Sequence, residues 1–213
     1  IVKEAGGDGI TAHLREDRRH IVDQDISRLK QQNILPLNLE MAATYEMQKI
    51  ALDILPNAVC LVPEKREERT TEGGLNVRNS ILKLRSFIEP LKRKNIRVSL
   101  FIEPSEEQID AAKRIGADII ELHTGQYCEL FEKKNEGHIE LIKVLEKAAK
   151  YAHTLGLEVH AGHGLTVESV GHISKITEIK ELNIGHAIIS DSIFLGLRGA
   201  IDLMKQKIKE SRL

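Results

Sequence analysis

The sequence predicts an α/β protein of the (β/α)₈ barrel class, the TIM barrel. Three observations carry this. Seven short β-type runs are spaced along the chain, and each is followed by a helical stretch. Most of these runs are near-continuously apolar rather than alternating, the pattern of parallel strands buried on both faces. Ionisable residues collect where the runs end, and the strand ends of a parallel barrel form its active face.

Residues 1–5 read as the end of a helix, closed by Gly6-Gly7. On this reading a first strand, its loop and most of a first helix precede residue 1. The expectation is therefore a single barrel domain over 1–213, incomplete at its N-terminus. The seven runs are 9–14 (GITAHL), 35–40 (LPLNLE), 58–63 (AVCLVP), 97–102 (RVSLFI), 118–124 (DIIELHT), 158–163 (EVHAGH) and 181–188 (ELNIGHAI). Between them, 44–55 places Met47, Ile50, Ala51, Ile54 and Leu55 at helical spacing. The helix predicted over 105–115 opens on a capping Ser105 with Gln108 three residues on, and stops at Gly116. A third helix, 139–155, stops at Gly156, and 190–211 forms the last one. An open doubly wound sheet also fits strand–helix alternation. A dinucleotide fold, however, would carry G-x-G-x-x-G after a strand. Here Gly162-His163-Gly164 supplies only the first half, with Val167 where the last Gly belongs.

Composition narrows the partners. With 213 residues, 41% of them apolar, the chain can build a sizeable core. Aromatics make up 3% and Trp is absent, so that core is aliphatic and stacking platforms for single-stranded nucleic acid are lacking. Lys and Arg number 31 against 32 Asp and Glu, a net charge of -1. That balance gives no general attraction to nucleic acid or an anionic membrane. No apolar run approaches the ~18 residues of a spanning helix. Cys60 and Cys128 read as free thiols of a reducing cytosol, so a cytoplasmic protein is expected.

Six of the nine histidines fall at strand ends or just beyond. The first run leads into His13-Leu14-Arg15 and on to His20. The second ends at Glu40, the third enters Glu64-Lys65-Arg66, and the fifth carries Glu121, His123 and Thr124. The sixth carries His160 and His163 before Gly164, and the seventh holds Gly185-His186. A carboxylate such as Glu40 closing an apolar strand is costly unless paired or functional. A single strand-end His is often structural; several converging on one rim point to catalysis. No Lys lies inside any strand, which disfavours a Schiff base to a strand lysine. Gly162, Gly164 and Gly185 expose backbone N–H groups near the last two strands, where barrels often bind phosphate. Arg15 and His20 supply cationic groups for a second anion. The reading is a phosphorylated substrate handled by His and Glu acid–base chemistry. The polar segment 64–77, with Thr70-Thr71 and Gly73-Gly74, reads either as a lid over the site or as a surface loop. No H-E-x-x-H and no Cys pair is present, so no metal site is expected.

The stretches 7–21 (GDGITAHLREDRRHI), 37–41 (LNLEM), 60–65 (CLVPEK), 70–74 (TTEGG), 98–102 (VSLFI), 121–125 (ELHTG), 161–165 (AGHGL) and 181–189 (ELNIGHAII) closely resemble the pyridoxine 5′-phosphate synthase family. The resemblance implies a (β/α)₈ barrel that condenses 1-deoxy-D-xylulose 5-phosphate with 3-amino-2-oxopropyl phosphate. The implied products are pyridoxine 5′-phosphate, inorganic phosphate and water. It implies no metal or organic cofactor, and a homo-octamer. By motif, His13 and Glu40 resemble proton acceptors, His163 the proton donor and Glu121 a carboxylate that stabilises the transition state. Arg15, His20 and Thr70 match positions that bind the deoxyxylulose phosphate. Gly164, Gly185 and His186 match the site of the aminoketone phosphate. The family's first-strand N-x-D-H-type motif has no counterpart here. Two other functions fit the residues alone: another phosphosugar enzyme on the same barrel, such as an aldolase or epimerase, and a binding module without turnover.

Overall fold

The computed structural model describes residues 1–71 and 73–212. Its elements are β1 (Ile10–His13), α1 (Asp23–Gln32), β2 (Leu37–Met41), α2 (Tyr45–Ile54), β3 (Ala58–Leu61), α3 (Ile81–Arg93), β4 (Arg97–Ile102), α4 (Glu106–Ile115), β5 (Ile119–His123), α5 (Gly125–Glu132), α6 (Gly137–Thr154), β6 (Glu158–Gly162), α7 (Val170–Ser174), β7 (Ile179–Asn183) and α8 (His186–Ser211). The sheet runs in chain order, β1 to β7. β1–β2, β2–β3, β3–β4 and β6–β7 pair in parallel. Sequential parallel order is that of a (β/α)₈ fold. A doubly wound sheet would reverse its order at a switch point, and this one does not.

The chain divides into two compact units, Asp8–Glu121 and Ile1–Gly7 with Leu122–Leu213. In the first, Leu39, Met41, Val59, Leu61, Val98, Leu100 and Ile102 from the strands and Ile26, Met47, Leu84, Ile88 and Ile109 from the helices are all buried. In the second, Val159, Ala161 and Ile179 join Ala148, Ala149, Ala152, Ile173, Ile201 and Met204. Each large aliphatic side chain so buried contributes roughly 1.5–3 kcal/mol. This is the aliphatic core that a Trp-free composition requires.

Local signals act where the sequence puts them. The Thr44 hydroxyl accepts from Met47 N–H at 3.5 Å, and that of Ser105 from Gln108 N–H at 3.4 Å. The Gln108 side chain does something else than close a capping box. Its carbonyl accepts from Val77 N–H at 2.9 Å and Arg78 N–H at 3.2 Å, pinning the chain between β3 and α3 to α4.

Residues 1–5 make a helical turn, Ala5 N–H donating to Ile1 C=O at 2.9 Å, and it closes at Gly6-Gly7: Gly6 takes φ +79° and Gly7 N–H donates back to Val2 C=O at 2.9 Å. Two other boundaries differ from the sequence reading. β7 begins at Ile179 and stops at Asn183, so Lys180 lies inside a strand, contrary to the sequence reading that no strand holds a lysine, and α8 starts at His186. The apolar run 181–188 is thus a strand end, a two-residue connection and the first helical residues. The apolar residues after Gly185 belong to helix, so the last helix begins at His186 rather than at Ser190. α8 is also kinked, because Gly196 takes φ 71°, ψ 153°. Beyond the kink, Ala200, Ile201 and Met204 are buried; before it, Ile189, Ile193, Phe194 and Leu195 are exposed.

The segment 64–77 carries a 3₁₀ turn, Arg66–Glu68, and an antiparallel bridge between Arg69 and Leu75. Its far end is fastened to β4 and the residue after it. Leu75 N–H donates to Phe101 C=O and Gly74 N–H to Glu103 Oε1, both at 2.8 Å. A Cβ on Gly74 would stand 2.7 Å from the Glu103 nitrogen, so a side chain there is excluded. Glu72, within this segment and within the stretch 70–74, lies outside the described residues.

Candidate active site

In the unit Asp8–Glu121 the strand register lines up one polar row. His13 pairs with Glu40, Glu40 with Cys60, and Cys60 with Ser99. Residues in register on neighbouring parallel strands point to the same side of the sheet, so this row gathers one functional layer. The His13 Nδ1 lies 3.9 Å from Glu40 Oε1, too far for a hydrogen bond. Its Nε2 lies 3.1 Å from Glu64 Oε1. Glu64 stands just beyond β3, with its side chain 6% exposed. Its second oxygen accepts from Glu16 N–H at 3.0 Å. Burial raises the Glu40 carboxyl above the usual carboxylate range; His13 opposes that shift and Glu64 adds to it. A carboxyl held this way exchanges protons closer to neutrality than a solvated one.

Glu121 is buried on β5, and the Cys60 thiol points at its Oε2 from 3.7 Å. Burial first, and then the Glu121 and Glu40 carboxylates, push the Cys60 thiol well above its ordinary value. Cys60 therefore stays a thiol and is no nucleophile. Both cysteines are free and buried. The Ser99 hydroxyl is fully buried with no hydrogen-bond partner among the described residues. Arg15 follows β1 and is half-buried, its guanidinium held by Asp17 at 3.2 and 3.3 Å. His20 is exposed further along the same loop. Thr70 is held locally: its hydroxyl accepts from Gly73 N–H at 3.2 Å, which leaves the O–H to donate, and its N–H donates to Gly74 C=O at 2.8 Å.

In the unit containing residues 122–213, the end of β6 is built around His163. Thr124 is fully buried, and its hydroxyl lies 2.7 Å from both the Gly162 and the His163 carbonyl oxygens. His163 takes φ +79° and Gly164 φ +84°. A non-glycine residue in this region costs on the order of 1–3 kcal/mol and persists where surroundings hold it, often at functional sites. The His163 imidazole is exposed and meets His123 edge-on, ring centroids 5.0 Å apart. Gly125, which opens α5, makes this possible. A Cβ there would stand 2.5 Å from His123 Nε2 and 3.0 Å from His163 Cδ2. Gly185 and His186 are exposed at the start of α8.

The structure thus brings His13 together with Glu40, Glu121 with Cys60, and His163 with Gly164, Thr124 and His123. Sequence reasoning passed over Glu64, Ser99 and Gly125 as site residues. Glu64 was legible only as one charge in a polar stretch, and Gly125 as a helix-opening glycine. Among the described residues, no group of three or more His, Cys, Asp or Glu is placed to hold a metal ion. No helix among them is long and apolar enough to cross a membrane.

Comparison with known proteins adds an independent line. The family model described as pyridoxal phosphate biosynthesis protein PdxJ matches residues 1–210. A relative from Sulfurihydrogenibium sp., called pyridoxine 5′-phosphate synthase, is 57% identical over 100% of this chain and 87% of its own length. Another of that name from Ruegeria pomeroyi is 53% identical, over 100% and 86%. Among solved structures, 3-keto-L-gulonate-6-phosphate decarboxylase from Vibrio cholerae superposes with a TM-score of 0.66 at 12% identity, covering 99% of this chain and 90% of that one. Phosphoribosyl anthranilate isomerase from Thermus thermophilus gives 0.61 at 12% identity, covering 98% and 91%. At such identity these two likenesses establish the fold alone.

Proposed function

The chain belongs to the pyridoxal phosphate biosynthesis protein PdxJ family, whose relatives are pyridoxine 5′-phosphate synthases, and we propose that it closes a pyridine ring by His and Glu acid–base chemistry on two phosphorylated substrates. The single observation that carries the activity is the family match over residues 1–210. It also decides against the aldolase, epimerase and binding-module readings. The substrates in this proposal are 1-deoxy-D-xylulose 5-phosphate and 3-amino-2-oxopropyl phosphate, with pyridoxine 5′-phosphate, inorganic phosphate and water as products.

Joining an amine to a ketone and then aromatising requires proton removal from nitrogen and carbon, and protonation of each departing oxygen. In the proposal His13 and Glu40 accept protons. The raised Glu40 carboxyl and the open side of the His13 ring support that assignment. His163 donates to the departing oxygens, supported by its exposed imidazole on a fixed, strained backbone. Glu121 offers a buried carboxylate to the positive charge that develops on nitrogen as the amine adds to the ketone carbonyl and water leaves. Arg15, His20 and Thr70 take the deoxyxylulose phosphate, and Gly164, Gly185 and His186 the aminoketone phosphate. The amine comes from substrate: the one strand lysine among the described residues, Lys180, is exposed at the second position of β7, away from that strand's C-terminal end. Segment 64–77 serves as a lid, hinged away from its tether at Gly74. The protein acts in the cytoplasm, a reading supported by its two free thiols. It assembles as a homo-octamer, and the exposed apolar residues of α8 supply surface that an assembly would cover.

The test is turnover with both phosphates, following pyridoxine 5′-phosphate by absorbance. Product should form only when both are present, and chelators should leave the rate unchanged. Consumption of the deoxyxylulose phosphate without the aminoketone would refute the proposal in favour of an aldolase or epimerase.

A further inference from the structure

We infer that Glu64 is the positioning residue of His13: it fixes the proton of that imidazole on Nε2 and leaves Nδ1 as the nitrogen that accepts a substrate proton. The inference rests on the reading of His13 as a proton acceptor and says which atom does the work and what holds it.

Three observations carry it. The Glu64 side chain is 6% exposed, so its carboxylate has little water and must be satisfied by protein groups. It meets two. Oε1 lies 3.1 Å from His13 Nε2, and Oε2 accepts from the Glu16 N–H at 3.0 Å. A carboxylate accepts and does not donate, so its partner on the ring is an N–H. In a neutral imidazole a proton on Nε2 leaves the lone pair on Nδ1. That nitrogen faces the second candidate base: Nδ1 stands 3.9 Å from Glu40 Oε1. The tautomer fixed by Glu64 thus turns the basic edge of the ring toward Glu40 and keeps the other edge occupied.

The same carboxylate ties two strand ends. Glu64 is three residues past β3 and Glu16 three past β1, so one side chain holds the ring and the loop that carries Arg15 in a common frame. Glu64 is itself held, because Glu68 Oε2 accepts from its N–H at 3.0 Å and from that of Lys65 at 3.1 Å. The 3₁₀ turn Arg66–Glu68 brings Glu68 back to do so. This gives a structural reason for the run CLVPEK to be followed by acidic residues.

The experiment uses the full chain. Long-range proton–nitrogen correlation spectra of nitrogen-labelled protein, without substrate, report which nitrogen of His13 is protonated, with His13→Ala providing the assignment. The expected result is a protonated Nε2 and a bare Nδ1. Glu64→Gln and Glu64→Ala should then redistribute that tautomer and lower kcat by about 10- to 100-fold, with KM changing less. In a His13→Ala background either substitution should cost no more than about twofold further, because a positioning residue has nothing left to position. A proton found on Nδ1 of native His13 overturns the inference. So does a Glu64 variant that melts normally and keeps both tautomer and kcat. Normal turnover by His13→Ala would instead refute the assignment of His13 as a base, and would be seen before any Glu64 variant is made.

Discussion

Replacing His163 by glycine separates its chemistry from its packing, because the structure assigns the two opposite consequences. At φ +79° a histidine carries roughly 2 kcal/mol of backbone strain, the middle of the usual range, and glycine relieves it. Against that stand about 0.75 kcal/mol for the greater freedom of glycine in the unfolded chain and about 1 kcal/mol for the edge-on contact with the His123 ring. These contributions nearly cancel, so His163→Gly should change stability by no more than about 1 kcal/mol. For a chain of this length that is a melting shift of at most ~4 °C. Turnover should nevertheless fall by ~10²-fold or more, the usual scale for one general acid. The assays are a thermal melt and a single-turnover measurement with both phosphates. If His163 only packs, the same small melting shift should come with an unchanged rate. A variant that melts normally and turns over within twofold of the native rate would remove His163 from the mechanism.

Three further outcomes follow from the geometry. Glu40→Gln should lower turnover by ~10²-fold or more while stabilising the fold at neutral pH. Burial raises the Glu40 carboxyl, so its contribution to stability is present below its unfolded value and is lost as pH rises through the folded one. The melting difference between variant and native protein should therefore grow in the variant's favour from about pH 4 to pH 7, and a flat difference would contradict the shift. Gly125→Ala should cost ~10-fold or more in kcat, because the new Cβ must displace the His123 and His163 rings; unchanged kinetics would show that neither ring needs its present place. Cys60 should resist thiol reagents near pH 8 in the native protein and react fully on unfolding; rapid native labelling would refute its burial beside Glu121.

By itself the sequence determined the parallel α/β class, because a strand buried on both faces must be largely apolar and β3 and β4 are legible on that ground. It determined the caps at Thr44 and Ser105, which depend only on residues within one helical turn. It also placed His13, Glu40 and His163 at strand ends and Glu121 within a strand, where polar residues interrupt apolar runs. The start of α8 was not legible, because Ile184, Ala187, Ile188 and Ile189 suit a strand as well as a helix until their neighbours are known. Nor was the role of Glu64. Its carboxylate reaches His13 across 51 positions of sequence, and only the pairing of β1 with β2 and of β2 with β3 brings the two together. The strain at His163 was equally hidden, since a left-handed histidine is imposed by the Thr124 hydroxyl and the packing of Gly164 against Cys128, not by any local preference of the residue. Periodicity and capping are short-range and survive in a one-dimensional string; proton placement and backbone strain depend on distant groups that only the tertiary fold brings within a few ångströms.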